Sequence, residues 1–420
     1  MQLVPAGDNA ILVDLGDVTA AELHAANARA STVGKSIPGH SSLYVIFDGP
    51  PDRQALEAAL TANRQPPTAN RNLLHIPVTF DGEDLHKLPA DFLSRVDGLR
   101  LTARYLGFRG GFAYLDGWPE EWALPRRATS RPVRAGAFAV AGNVAAFYPI
   151  DSPGGWNVLG HTGMDLENAI APGDVIVVQR RAGFSPPLHG GGGLKPALRF
   201  PMHEIKAPLA VWTDKPFDDV AASLANRAVG NEPSAEILEC PLVGPKVRFT
   251  KDAVIAWVTP DLKIEQAQVK AGDERTWGRI EHGLRAYLAI GAERRSGFSP
   301  TSRAEARPAS DRHVIKAMRG PHDIGIERIE CEVTPQLDRI GIRLRPLQAL
   351  QGAPADLRSI GMQTGTVQLH PDGSLVAMGP EHPLTGGYLQ PMTVLTAERW
   401  KLAQLSPGER VTFVAYEPNS

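Results

Sequence analysis

Gly107–Asp116 (GFRGGFAYLD) and Ser152–Thr162 (SPGGWNVLGHT) set cations, a histidine and aromatic rings among clustered glycines. Glycine is costly to fix, so such clusters answer to positive φ, a bulge, or close approach of backbone to a ligand. Backbone amides around Gly110-Gly111 and Gly154-Gly155 could form an anion nest. Phe108, Phe112, Tyr114 and Trp156 supply aromatic walls, and the planar forks of Arg109, Arg126 and Arg127 fit phosphate or carboxylate. His161 brings a group able to exchange a proton near neutral pH. The combination suits a pocket for a small polar substrate. Tight turns of a small barrel form the competing reading, with Arg126 and Arg127 solvated and His161 bonded to a strand carbonyl.

In the second half, Asp338-Arg339 with Arg343 reads either as a carboxylate clamp or as a structural ion pair. Asp218 stands at a helix start, where an acid offsets the macrodipole and caps free amides. No His, Cys, Asp or Glu cluster has metal-ligand spacing, so no bound metal is expected.

These residues need rigid supports, and the chain outlines them. Residues 1–71 read as a small α+β domain. Its strands are Ala10–Leu15 and Ser42–Phe47. A capping box at Thr19–Glu22 starts a helix with Leu23, Ala26 and Ala30 on one face, and Asp52–Asn63 forms a second helix around Leu56 and Leu60. Arg64–Arg71 is its linker. Over 72–185, short β runs between Gly/Pro turns predict a barrel: Leu73–Phe80, Arg100–Tyr105, Arg134–Ala141 and Val175–Gln179. A helix near Glu83–Arg95 is broken around Pro89. Pro186–Pro196 (PPLHGGGGLKP) reads as an interdomain linker, because four consecutive glycines hold no regular element cheaply. Residues 197–420 return to short β runs, with one helix over Phe217–Val229. An internal repeat links the halves. Gly154-Gly-Trp156 precedes a Pro172-Gly-Asp174 turn, and Gly386-Gly-Tyr388 precedes a Pro407-Gly-Glu409 turn, each followed by a final strand. The fold class is therefore α+β, mainly β, with a duplicated β module.

Bulk composition narrows the function classes. The 420 residues carry 44 Lys plus Arg against 46 Asp plus Glu, which gives no electrostatic footprint for nucleic acid or an anionic membrane. The two cysteines, Cys240 and Cys331, form no CxxC pair. That usage and the absence of a basic-then-apolar leader in MQLVPAGDNA predict a cytoplasmic protein.

Several blocks then resemble a known pair of bacterial proteins. Residues 1–180 resemble the B subunit of 5-oxoprolinase, also called allophanate hydrolase subunit 1 or the kinase A inhibitor family. The matches are Gly7–Val13, Leu106–Leu115, Pro125-Arg126-Arg127, Ala135-Gly136, Ala141-Gly142 and Ser152–Gly160. Residues 195–420 resemble the C subunit of the same enzyme, or allophanate hydrolase subunit 2. There the matches are Leu224–Asn231, Arg285–Ile290, Arg319-Gly-Pro321, Leu337–Gly341, Arg343-Leu344, Gly365–Gln368, Gly386-Gly-Tyr388 and Pro407-Gly408. The pair also occurs fused in the carboxyltransferase region of urea amidolyase. Gly110 and His161 depart from the B-subunit pattern, which has Pro and Arg there, and Asp214 stands at a serine position of the C-subunit pattern.

The resemblance implies an α+β N-terminal domain and cyclophilin-like barrels, the second half holding a pair of them. It implies ATP-dependent hydrolysis of the lactam C–N bond of 5-oxo-L-proline to glutamate, together with a separate A subunit. It also brings Asp218, Gln368, Gly386 and Gly387 into the site. Such chemistry needs cations for phosphate, donors for an oxyanion and a base to guide water. Arg109, His161 and Asp218 are the expected catalytic residues, and ATP binds this chain or its partner. Two other readings compete: a non-catalytic regulatory protein of the kinase-inhibitor type, and a biotin-dependent carboxyltransferase module acting on urea or a related amide. A homo-oligomer is compatible with each.

Overall fold

Local chemistry fixes the first elements. In the computed structural model, Thr19 accepts the Glu22 amide and the Glu22 carboxylate accepts the Thr19 amide, closing the expected capping box. Helix α1 (Ala20–Ala30) follows and buries Leu23, Ala26 and Ala30. It packs with α2 (Arg53–Thr61) on a four-stranded sheet of β1 (Gln2–Gly7), β2 (Ala10–Asp14), β3 (Lys35–Pro38) and β4 (Ser42–Ile46), in the order β1-β2-β4-β3. The structure describes residues 1–62, 72–107, 111–127, 129, 131–181, 203–207, 209–291, 307, 313–350 and 357–416. The linkers expected at 64–71 and 186–196 lie outside these.

Seven strands close the first barrel: β5 (Leu73–Thr79), β6 (Arg100–Leu106), β7 (Ala113–Asp116), β9 (Ala137–Ala141), β10 (Val144–Phe147), β12 (Asn157–His161) and β13 (Val175–Arg181). Two short strands, β8 (Arg131–Val133) and β11 (Ser152–Gly154), pair as a separate ribbon. The strand expected from Arg134 begins only at Ala137, because Gly136 turns the chain at φ +82°. The helix near 83–95 is broken as anticipated, into a 3₁₀ turn at Leu85–Lys87 and α3 (Phe92–Arg95). Ile76, Leu101, Leu115, Phe138, Phe147 and Val178 fill the interior.

The second half opens with two open sheets. One holds β14 (His203–Lys206), β17 (Lys246–Phe249) and β20 (Glu274–Thr276). The other holds β15 (Val211–Thr213), β16 (Ile237–Pro241), β21 (Arg285–Gly291), β18 (Ala253–Val258) and β19 (Ile264–Val269), against helix α4 (Asp219–Ala228). A second closed barrel follows: β22 (Val314–Arg319), β23 (Arg328–Leu337), β24 (Gly341–Pro346), β26 (Thr366–Leu369), β27 (Leu375–Met378), β29 (Leu389–Val394) and β30 (Arg410–Ala415). Its own ribbon joins β25 (Ile360–Gly361) to β28 (Thr385–Gly386), and α5 (Arg399–Ala403) precedes β30. The pair of barrels thus falls one to each half.

The two barrels share one topology. Counting each barrel's strands in chain order, both rings run first-sixth-fourth-fifth-third-second-seventh, with first and seventh parallel. Each double-glycine-aromatic copy runs into a sixth strand, and each sixth strand carries a bulge against the fourth. Each Pro-Gly-acid turn leads into a seventh strand. Asp174 accepts the Ala171 amide at 2.8 Å and Glu409 accepts the Ser406 amide at 2.9 Å. The repeat read in the sequence is therefore a repeat of structure.

The chain forms two units. The first runs from Met1 to Gly192 and takes in Ala355–Met362 and Pro383–Tyr388, which include the β25/β28 ribbon; the second is the remainder. Among the described residues no helix is long and apolar enough to cross a membrane.

Candidate functional site at the rim of the first barrel

The two glycine-rich segments converge. Phe112 lies 5.6 Å from Trp156 and 5.1 Å from Tyr148, ring centre to ring centre, and Tyr114 lies 5.6 Å from Trp156. Yet Phe112 and Trp156 are only 4% and 5% exposed, packed with Val133, Ala137 and Ala139. The aromatic residues fill the space between the turns, so they are packing and not walls of an open pocket. The glycines admit these rings. A Cβ on Gly107 would stand 2.1 Å from the Tyr114 ring, and one on Gly154 2.1 Å from the Tyr148 hydroxyl. Gly111, at φ +81°, lies against Asn168. The Gly155 carbonyl accepts the Arg127 amide at 2.9 Å. Phe108, Arg109 and Gly110 lie outside the described residues.

Both copies of the double-glycine motif meet at Tyr114. Tyr105 stacks on it at 4.4 Å, and the two hydroxyls share Ser359 of the β25/β28 ribbon. Burial raises both phenols above their ordinary value, and burial pushes Tyr148 up to about 12. Tyr388 is close enough to raise Tyr114 further, while exposed Arg126 acts on Tyr114 and Tyr148 in the opposite direction. Gly386 pairs with Ile360 in the ribbon, and Gly387 closes on the Leu357 carbonyl.

Reactive groups stand at another edge of the barrel. The segment after β5 returns along bulged β12: the Gly82 amide donates to Leu159 O at 3.0 Å and the Asp84 amide to Val158 O at 3.1 Å. A Cβ on Gly82 would be 2.3 Å from Val158 O, so only glycine permits this approach. The Asp84 side chain, 3% exposed, gathers Lys87 at 2.7 Å, Arg127 at 2.9 Å, Arg131, and the Val158 amide at 3.0 Å. Burial pushes the Asp84 carboxyl up, but hydrogen bonds from Lys87 and Val158 and the charge of Arg131 outweigh it and hold it below the ordinary value. This frame sets Asp81 opposite His161, with Oδ1 2.8 Å from Nδ1. Both are partly open, at 40% and 31% side-chain exposure. A carboxylate on Nδ1 fixes the tautomer and leaves Nε2 able to take a proton. Beside Asp81 opens a groove of about 530 Å³ lined by Gly82, Glu83, Leu85, His86, Leu88, Pro89, Ala90, Phe92 and Leu93.

The second-half residues fall elsewhere. Asp218 caps α4, accepting the Ala221 amide at 3.1 Å, but it does more: wholly buried, it also pairs with Arg307 at 2.6 Å and accepts from Gln404 at 3.0 Å. Asp338, Arg339 and Arg343 do not form one group. Asp338 accepts the Ile340 and Gly341 amides of a tight turn, and Arg343 reaches Asp372 and Ser374. Arg339 pairs with buried Glu239 at 2.6 Å and with Glu381 at 2.8 Å. Gln368 is buried on β26. Asp81, Asp84 and Glu239 escaped the sequence reading; the single local cue for the first two was the acidic, glycine-containing DGED run after a predicted strand.

A seven-stranded barrel doubled within one chain, each copy with a satellite ribbon, is the architecture on which sequence comparison bears. Residues 1–170 match the family described as "Carboxyltransferase domain, subdomain C and D". Residues 215–296 and 291–415 match "Carboxyltransferase domain, subdomain A and B". The chain is 33% identical over 150 residues to the B subunit of 5-oxoprolinase from Escherichia coli O157:H7, covering 32% of this chain and 68% of that one. It is 37% identical over 100 residues to the Haemophilus influenzae B subunit, covering 21% of this chain but only 47% of that protein's length. Over 249 residues it is 24% identical to the C subunit of 5-oxoprolinase from Escherichia coli K12, covering 47% of this chain and 80% of that one. The crystal structure of TTHA0988 shares the fold, with a TM-score of 0.81 at 23% identity over 97% of this chain and 99% of that one. The chain belongs to the carboxyltransferase-domain family. It joins a region like the 5-oxoprolinase B subunit to one like the C subunit, as the resemblance implied.

Proposed function

We propose that this chain is a component of an ATP-dependent amidohydrolase of the 5-oxoprolinase type, which opens a lactam or amide C–N bond together with a separate subunit. The observation that carries the reading is the Asp81–His161 pair, held at the barrel rim by the Asp84 frame beside an open groove. His161 Nε2 takes the proton from the attacking water, and Asp81 orients the ring and stabilises the cation that forms. In this reading ATP sits on the partner, and of the described cations first offered for phosphate Arg127 is already engaged by Asp84. The test is lactam-dependent ATP hydrolysis by this chain mixed with a 5-oxoprolinase A subunit, using 5-oxo-L-proline and uncharged lactams. Turnover with a loss of about 10²- to 10⁴-fold in His161→Ala is expected. No turnover across the panel overturns the reading. The carboxyltransferase description of both matched regions favours a second reading, carboxyl transfer from a biotin carrier supplied in trans. Capture of a biotinylated partner protein, with no lactam opening, would select it.

A further inference from the structure

We propose that His322 is an acid-released latch on the second barrel, holding the loop after β22 against β29 while neutral and letting it go when protonated. The corner is built like the one that carries Asp84. In the first barrel the Gly82 and Asp84 amides donate to Leu159 O and Val158 O on bulged β12, and the Asp84 side chain turns back to accept the Val158 amide. In the second, the Gly320 amide donates to Pro391 O at 2.8 Å and the His322 amide to Gln390 O at 3.3 Å on bulged β29. A Cβ on Gly320 would run into the Gln390 carbonyl, so glycine is required there as it is at Gly82. His322 Nδ1 then accepts the Gln390 amide at 3.0 Å. Each loop is closed onto its strand by one side-chain acceptor on one backbone amide, an acid in the first barrel and an imidazole in the second.

The difference in residue type sets the pH at which the closure fails. An amide N–H only donates, so Nδ1 keeps its lone pair and the proton of the neutral ring stands on Nε2. Imidazolium carries a proton on both nitrogens, and the one on Nδ1 would face the Gln390 N–H across 3.0 Å. No charge offsets this clash. Arg319 on β22 is bonded to Asp323 and Glu327, β29 carries no titratable side chain, and His370 beyond β26 is pushed down to about 4, chiefly by burial, and so stays neutral. Burial alone holds His322 below the ordinary imidazole value. The open loop takes up its proton at about 6.5 and the closed loop at a lower pH. Closure is therefore complete above 6.5 and is lost as pH falls from there through the closed value. Asp84 gives way only in the carboxylate range, so acid opens the corner of the second barrel first.

The experiment follows the ring nitrogens of His322 and the amide of Gln390 by NMR in the full chain. At pH 7.5 the ring proton is expected on Nε2, and the ring should titrate below about 6.5. Protection of the Gln390 amide against hydrogen exchange should fall about tenfold between pH 7.5 and pH 5, since each open loop gains a proton that the closed one refuses. His322→Asp installs the closure of the first barrel and should keep that protection constant down to pH 5, where an aspartate is still ionised. His40 and His370 are the same in both chains, so the contrast isolates position 322. A proton on Nδ1 at pH 7.5, protection that does not fall with acid in the wild type, or an equal fall in His322→Asp overturns the inference.

Discussion

Replacing Asp84 by Asn tests the frame of the site most directly. The side chain is 3% exposed and touches three cations and one backbone amide. Asparagine is nearly isosteric, so the perturbation is loss of one charge and of two lone-pair directions, with little change in volume. Lys87, Arg127 and Arg131 keep 37%, 30% and 16% of their side chains exposed, so water compensates part of the loss, least for Arg131. Breaking a buried ion pair by removing one partner costs about 3–5 kcal/mol, and this solvent access places Asp84→Asn near the lower end, about 3 kcal/mol. For a unit of roughly 200 residues that lowers Tm by about 6–12 °C. Urea unfolding followed by tryptophan fluorescence, with Trp118, Trp122 and Trp156 in the first unit as reporters, measures it. The pH dependence supplies a second check. The folded carboxyl lies below its unfolded value of about 3.9, so its stabilisation is complete above that value and is lost as pH falls through the folded one. The difference between wild type and variant should therefore be constant from pH 8 to about pH 5 and shrink below pH 4. A loss under 1 kcal/mol, or a difference that does not change with acid, refutes the reasoning.

Other outcomes follow from the same geometry. Gly154→Ala should cost about 1–3 kcal/mol by driving a methyl into the Tyr148 hydroxyl, and Tyr148→Phe in the same chain should restore most of it, read by a double-mutant cycle in urea. Glu239→Gln should cost about 3–5 kcal/mol, because Arg339, Arg285 and the Tyr287 hydroxyl converge on that buried carboxylate; denaturant unfolding of the second unit measures it. Arg104→Met should free the α+β domain from the first barrel, since its guanidinium donates to Val18 O, His40 O and Asp116 at once; faster cleavage in limited proteolysis is the readout.

Much of this architecture was legible because it is local. The capping box at Thr19, the apolar face of α1 and the Pro-Gly-acid turns each need only a few adjacent residues to specify them. The barrel repeat was visible because Gly154-Gly155-Trp156 and Gly386-Gly387-Tyr388 occupy the same strand position in both copies. The glycines themselves were ambiguous. Sequence shows that something must approach Gly107 and Gly154 closely, but not whether that is a ligand or, as found, Tyr114 and Tyr148. Adjacency also misled in the second half. Asp338, Arg339 and Arg343 are near neighbours in sequence, but a tight turn sends the first to backbone amides, the second to Glu239 about one hundred residues away, and the third to Asp372. Asp84 has one local partner, Lys87, three residues on, but it draws Arg127, Arg131 and the Val158 amide from 43 to 74 residues away, a convergence that no local pattern announces.

The β25/β28 ribbon lends two short stretches of late sequence to the unit built mainly from early sequence. Severing the polypeptide anywhere before residue 355 would strand the early fragment without the Ser359 hydroxyl that Tyr105 and Tyr114 share, and without the Leu384 amide that donates to Gly107 O at 3.1 Å. Two tyrosines that are quiet in the whole protein would be left with unmet hydrogen bonds at a raw surface. Synthesis of the early half is thus not its completion: the amino-terminal unit must wait for a two-stranded ribbon made some two hundred residues later before its fold is finished.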